Sequence, residues 1–132
     1  VRSKKGVSKN AGQSIVETAL ILPIIILILV GIIDFGLLFN NYLVMINASR
    51  EGARIAAVGS TDSDITLKVN NMTSTLDQDK LKITIYPEES ARKKGDEISV
   101  TVEYDNTLLT PIIGAIVPNP IHLKTKSVMR ME

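Results

Sequence analysis

Between Thr18 and Ile33 the chain runs for sixteen residues without a charge. As a helix rising about 1.5 Å per residue, that stretch covers roughly 24 Å, slightly short of the ~30 Å hydrocarbon core of a bilayer. Continuing through "DFGLLF" to Phe39 gives 22 residues and about 33 Å, with Asp34 then near the far interface. From Ile24 to Val30 the run is apolar on every face of a helix, and a chain of 132 residues has too little mass to wrap such a helix on all sides. A secretory signal peptide has an apolar region of about 7 to 15 residues ending in a small-x-small cleavage site, and "GIIDFGLLFNNYL" offers none. A membrane-spanning helix kept in the mature protein is therefore predicted at about residues 18–39. Pro23 lies inside the run and has no backbone N–H; it either kinks the helix or sits close to its start.

Charge is distributed to match. Arg2, Lys4, Lys5 and Lys9 put four positive charges and no negative ones in the first twelve residues, while the other 120 hold 11 basic and 14 acidic side chains. Basic flanks stay on the cytoplasmic side, so the reading is a single-pass protein of the cytoplasmic membrane, N-terminus inside and the bulk of the chain outside. A mildly acidic remainder gives no reason to expect nucleic-acid binding.

Beyond the span the helical pattern continues, since Leu38, Tyr42, Met45, Ser49, Ala53 and Ala56 recur at three and four residues and make one narrow face. Its far end is lined by small side chains, which lets another element approach closely. One helix over residues 13–59 is predicted, nearly 70 Å long, closing at Gly59 in the left-handed conformation. Arg50, Glu51 and Arg54 fall on its polar side; Glu51 and Arg54 make a surface pair at i and i+3 or a contact with a neighbouring subunit.

The remainder, residues 60–132, reads as a small extracytoplasmic head. "TDSD" caps a second helix whose stripe is Ile65, Val69, Met72 and Leu76. "LKITIYP" and "EISVTVEY" alternate apolar and polar residues and form an antiparallel hairpin around the polar "EESARKKGD"; "IHLKTKSVMRM" supplies a third strand. "LLTPIIGAIVPNP", with three prolines, is too broken for a central strand and is read as a loop packed on the head or a membrane-proximal contact surface. The fold class is thus α+β, membrane-anchored, with a long N-terminal helix, a short second helix and a sheet of about three antiparallel strands.

Catalytic parts are wanting. The chain has no cysteine, no G-x-S-x-G, no phosphate-cradling glycine loop and no histidine near a nucleophile in the pattern. His122 is the lone histidine, without a second soft ligand, and is read as a surface or edge-strand residue. Asp62 and Asp64 lack the other positions of a calcium loop. No cofactor and no metal are expected. Asn47 and Asn71 begin glycosylation sequons, but matches this short carry no weight.

Glycine at 12 followed by glutamate at 17, placed between a basic leader and an apolar helix, resembles the cleavage site of type IV prepilins. The wider stretches "GQSIVETALILPIIILILVGIIDFG", "ASREGARIAAVG" and "SVMRME" resemble the TadE-like family of pilus-assembly proteins, closely over the helical first half and in outline after it. That resemblance implies a minor pilin or pseudopilin of the tight-adherence, Flp-type pilus system. It implies cleavage after Gly12 by an inner-membrane prepilin peptidase, with residues 1–12 as the leader, Gln13 as the new N-terminus and Glu17 as the fifth mature residue. The implied partners are that peptidase, other pilins and pseudopilins, the inner-membrane assembly platform and the lipid membrane. Thr18 departs from the pattern, because the major pilins of this system, and some of its pseudopilins, carry an aromatic residue after the glutamate.

Cleavage would leave an α-ammonium on Gln13, with an ordinary pKa of about 7.7 to 8.0, one helical turn from the Glu17 carboxylate. A charge near hydrocarbon is costly unless paired, so each group makes the other tolerable. The pair forms within one chain or between a carboxylate and a neighbour's amine, and the sequence permits both. Without the glycine, Glu17 reads as a solvated carboxylate favoured by the helix N-terminus. Asp34 marks the outer boundary of the span or pairs with a neighbour. The competing class is a constitutive single-pass protein whose head binds a ligand or secretion partner; a regulatory lid on the assembly machinery would need more cytoplasmic chain than the short leader.

Overall fold

The computed structural model describes residues 9–132, so Arg2, Lys4 and Lys5 of the expected leader lie outside the described residues. One helix, α1 (Lys9–Ala57, 49 residues), opens the fold and at about 1.5 Å per residue is some 74 Å long. It starts four residues ahead of the expected Gln13, which puts Gly12 inside the helix. Its end is set by Gly59 at φ +90°, a conformation that only glycine adopts without a β-carbon clash. There the Gly59 N–H donates to the Ala56 carbonyl at 3.0 Å and the Ser60 N–H to the Ile55 carbonyl at 3.2 Å, satisfying the last turn.

Pro23 stands fourteen residues past Lys9, so it is not near the helix start; α1 runs through it. The Ala19 carbonyl loses its usual N–H partner there. Earlier in the helix the Ser14 and Thr18 hydroxyls donate back to the carbonyls of Asn10 and Ser14 at 3.1 and 2.9 Å, which leaves no hydroxyl proton facing an apolar medium unpaired.

α1 divides into two unlike halves. From Gln13 to Ile33 every residue except Val30 and Gly31 is exposed, and the most apolar 18-residue window has a mean hydropathy of 2.9 with 6% of it buried. The core helix of a water-soluble protein would be mostly buried. A bare surface this apolar needs an apolar cover, and the helix is long and apolar enough to cross a membrane. From Met45 onward the same helix buries Met45, Ala48, Ser49, Ala53 and Ala56 almost completely.

What covers that second half is the head. α2 (Asp62–Met72) is capped by Thr61, whose hydroxyl accepts the Asp64 N–H at 3.2 Å, and it buries Ile65 and Val69. Contrary to the predicted stripe, Leu76 is not on this helix. α2 stops at Met72, where the Thr73 hydroxyl turns back to the Val69 carbonyl at 2.8 Å, and Leu76 reaches the core from the following turn. A Thr-Ser-Thr run favours such local side-chain bonds over continuing a helix.

Three strands follow: β1 (Leu81–Tyr86), β2 (Glu97–Asn106) and β3 (Ile121–Arg130). They form an antiparallel meander in the order β1-β2-β3, with Ile83 opposite Val102 and Val102 opposite Thr125. The period of two sends Ile98, Val100, Val102 and Tyr104 of the central strand into the core. α1 lies against β2 and β3, α2 packs on α1, and the opposite sheet face carries Lys82, Glu103 and Lys124 in one row. Between β2 and β3 the proline-rich segment forms one short helix, α3 (Pro111–Gly114).

Candidate functional site

The mouth of the bare half holds Gly12, Gln13 and Glu17, the residues expected from the sequence to form a processing site. Gln13 and Glu17 are one turn apart on one face, with the Gln13 side-chain amide donating to the Glu17 carboxylate at 3.3 Å, and both are exposed. A β-carbon built at Gly12 meets nothing within 4 Å. Glycine inside a helix costs roughly 1 kcal/mol relative to alanine, and no contact among the described residues requires it here.

At the other end of the apolar run, Asp34 is 3% exposed. Its carboxylate accepts the Leu109 N–H at 3.1 Å and the Thr110 hydroxyl, so its oxygens are engaged within the chain by a segment 75 residues away in sequence. The polar contacts continue along the helix. The Asn41 amide donates to Asn106 at 2.7 Å, the Thr125 hydroxyl to the Met45 carbonyl at 3.3 Å, and Ser49 and Ser127 share a hydrogen bond of 3.0 Å. Positions 34, 41, 45 and 49 follow one helix face, and together they fasten α1 to the head from Asp34 outward. The head and the outer half of α1 thus form one body, from which the apolar half projects bare.

On the opposite, polar side Arg50 is exposed and Glu51 is half-buried. Arg54 holds Glu51 through both carboxylate oxygens, at 2.6 and 2.9 Å. The hydrogen bond from Arg54 pulls the Glu51 carboxyl below its ordinary value, with the charges of Arg54 and Lys68 adding to it and desolvation opposing. The same bond raises the Arg54 guanidinium. A pair open to solvent on a helix surface contributes little to stability.

Two residues escaped the sequence reading. A β-carbon at Gly52 would lie 2.8 Å from Val69 Cγ2 and 3.2 Å from Val100 Cγ1, so the glycine of "REGAR" is where α2 and β2 close on α1. Its signal was present in the small-residue face, but which element arrives there depends on the tertiary fold. Arg92, in the segment read as a polar turn, has a side chain only 3% exposed. Its guanidinium donates to the Pro87 carbonyl at 3.0 Å and to Asp62, joining that turn to the start of α2.

His122 sits exposed on the edge strand β3, as expected. Its Nδ1 is 2.7 Å from Asp105 and its Nε2 3.6 Å from Glu103. The hydrogen bond with Asp105 raises its pKa above the ordinary histidine value; desolvation opposes, and the Asp105 charge and then Glu103 add to the rise.

Residues 12–54 match the family model described as TadE-like protein, the family that the quoted stretches resemble. The matched span runs from the glycine at the helix mouth to the arginine of the Glu51–Arg54 pair, across both halves of α1. No curated protein and no solved structure matches the chain.

Proposed function

We propose that this chain, matched over residues 12–54 by the TadE-like family, is a minor pilin or pseudopilin of a tight-adherence pilus, a subunit that works by packing and has no catalysis of its own. The observation that carries the reading is Gly12. It stands exposed inside a helix, five residues before an exposed carboxylate at the edge of a bare apolar surface, with no packing contact among the described residues. A peptidase that must bring its catalytic groups against a scissile carbonyl gains from the missing β-carbon.

Cutting after Gly12 frees an ammonium on Gln13, one turn from Glu17. In a low-dielectric surrounding that attraction is far stronger than in water. A neighbour's amine gains it only at the axial step that brings the two groups together, so Glu17 sets register between subunits. The apolar half of α1 supplies the packing surface, first against lipid and then against other pilins. In this reading the N-terminus faces the cytoplasm and the head faces outward, following the basic residues ahead of the span. The peptidase, other pilins and the inner-membrane platform are its partners.

Intact mass of protein extracted from native membranes tests this directly. The expected species starts at Gln13, and Gly12→Ala leaves the longer form to accumulate. Finding only the uncut chain in a cell with active peptidase would refute the processing step and favour a constitutive single-pass protein.

A further inference from the structure

From Asn106 to Ile121 the chain carries sixteen consecutive residues with no Asp, Glu, Lys, Arg or His. Ile116 and Leu109, at 79% and 73%, are the two most exposed large apolar side chains among the described residues. A connection bathed in water is ordinarily polar, and exposed apolar residues gathered in one have a functional reason or are a solubility liability.

The position of this loop supplies the reason. Asp34 takes the Leu109 N–H and the Thr110 hydroxyl, and Ile113 Cδ1 lies 3.4 Å from where a β-carbon of Gly31 would be. Thr110 also borders a groove of about 450 Å³ with Leu22, Pro23, Ile26, Leu27 and Val30. The loop therefore lies beside the last turns of the apolar run and not beyond them. A bilayer that takes up Thr18–Ile33 reaches its head-side boundary at the level of this loop.

Part of the loop's backbone is already satisfied, as suits a shallow place at the membrane boundary. The N–H groups of Leu108, Leu109, Gly114, Ile116 and Val117 find acceptors within the chain, and Pro111, Pro118 and Pro120 have no N–H to satisfy. Each donor met within the chain lowers the cost of leaving water.

We propose that residues 107–118 form a second membrane contact, a shallow wedge whose Leu109 and Ile116 enter the acyl chains of the head-side leaflet. The occupant is lipid because the surface is continuous with the span that lipid already covers. The helix alone fixes depth but leaves the molecule, helix and head together, free to tilt in the bilayer. A wedge beside the helix adds a second point of attachment and sets which face of the head looks away from the membrane. The proposal rests on the membrane placement of α1 and stands whether or not the chain is processed or enters a pilus.

The native chain has no tryptophan, so single-tryptophan variants report depth without background. The full chain carrying Ile116→Trp, and separately Leu109→Trp, is reconstituted in phosphatidylcholine vesicles that mix lipids brominated near the headgroup with lipids brominated near the end of the acyl chain. Ile28→Trp in the span and Leu67→Trp on α2 serve as buried and exposed references. The expected result is blue-shifted emission and bromine quenching at 116 and 109, approaching that of position 28, with position 67 unquenched and emitting as in water. Unquenched, water-like emission at 116 and 109 beside a quenched position 28 would overturn the wedge while leaving the span intact. Blue-shifted emission that bromine does not quench but that grows with protein concentration would overturn it in favour of a second copy of the chain. Loss of quenching at position 28 as well would remove the membrane placement on which the wedge rests.

Discussion

The β-carbon that Gly52 lacks would lie 2.8 Å from Cγ2 of Val69. That separation is below any ordinary carbon–carbon contact, and Val100 closes the other side at 3.2 Å. Gly52 is therefore where the long helix admits both α2 and the central strand, and the head is assembled around a missing methyl group.

Gly52→Ala should destabilise the head by about 1 to 3 kcal/mol through overpacking, although alanine is the better helix former by roughly 1 kcal/mol. Denaturant unfolding in detergent, followed by the strand signal in circular dichroism, measures it. Gly36→Ala, where a β-carbon meets nothing within 4 Å, is the matched control and should leave the head's midpoint unchanged.

Asp34→Ala removes the acceptor of the Leu109 N–H and the Thr110 hydroxyl. Leaving such donors unpaired costs about 1 to 3 kcal/mol, and the effect should be local. Amide exchange at Leu109 should accelerate, while the β2–β3 ladder keeps its protection. Equal loss of protection throughout the sheet would mean that Asp34 supports the head as a whole.

Asp62→Asn weakens the anchor of Arg92, whose guanidinium is nearly buried while Asp62 is 42% exposed. A charge-assisted bond with one solvated partner puts the expected loss at about 1 kcal/mol. Arg92→Ala should cost more, because the Pro87 carbonyl loses its donor too. The order of the two unfolding midpoints checks the assignment.

These contacts mark where sequence reading ends. The long helix, its stop at Gly59, the capping Thr61 and the three alternating strands were legible because each rests on local chemistry: a period, a cap, a positive φ. The boundary at Leu76 was misjudged because an apolar residue at helical spacing looks the same whether its backbone is helical or a turn has carried it inward. Asp34 was placed near the membrane edge, but its partners are 75 and 76 residues away and no pattern in the chain joins them. Gly12, Gln13 and Glu17 are proposed from their order along the chain. Gly52 was hidden within a motif whose charges drew the attention.

The His122–Asp105 contact predicts a pH effect of definite sign. The pKa of His122 in the folded chain is raised, chiefly by its hydrogen bond with Asp105, so the protonated form stabilises the fold. That contribution is fully present below the unfolded histidine value of about 6.5 and fades as pH rises through the higher folded value. Because the imidazole is open to solvent, the effect is small. Titration by NMR should show the His122 pKa falling towards its ordinary value in Asp105→Asn, and the variant's stability should lose its dependence on pH in that window. An unchanged pKa would assign the perturbation to Glu103.

Glu17→Ala separates cutting from assembly. In the proposed processing the cut falls at the Gly12–Gln13 bond, and Glu17 lies one turn further along an exposed helix face, so removing its carboxylate should leave a mature N-terminus at Gln13 largely intact. The loss should appear later. Without a negative charge at the edge of the apolar surface, the new ammonium has no partner there, and an unpaired charge against hydrocarbon or packed helices is strongly unfavourable. Protein should remain in the membrane fraction and vanish from sheared pili. Glu17→Gln, which keeps the shape and a hydrogen-bond acceptor but not the charge, should fail almost as completely. Glu17→Asp keeps the charge one methylene short and should recover part of the incorporation. Normal recovery of Glu17→Ala with pili would rule out the register role, and a block in cleavage would place the carboxylate in peptidase recognition instead.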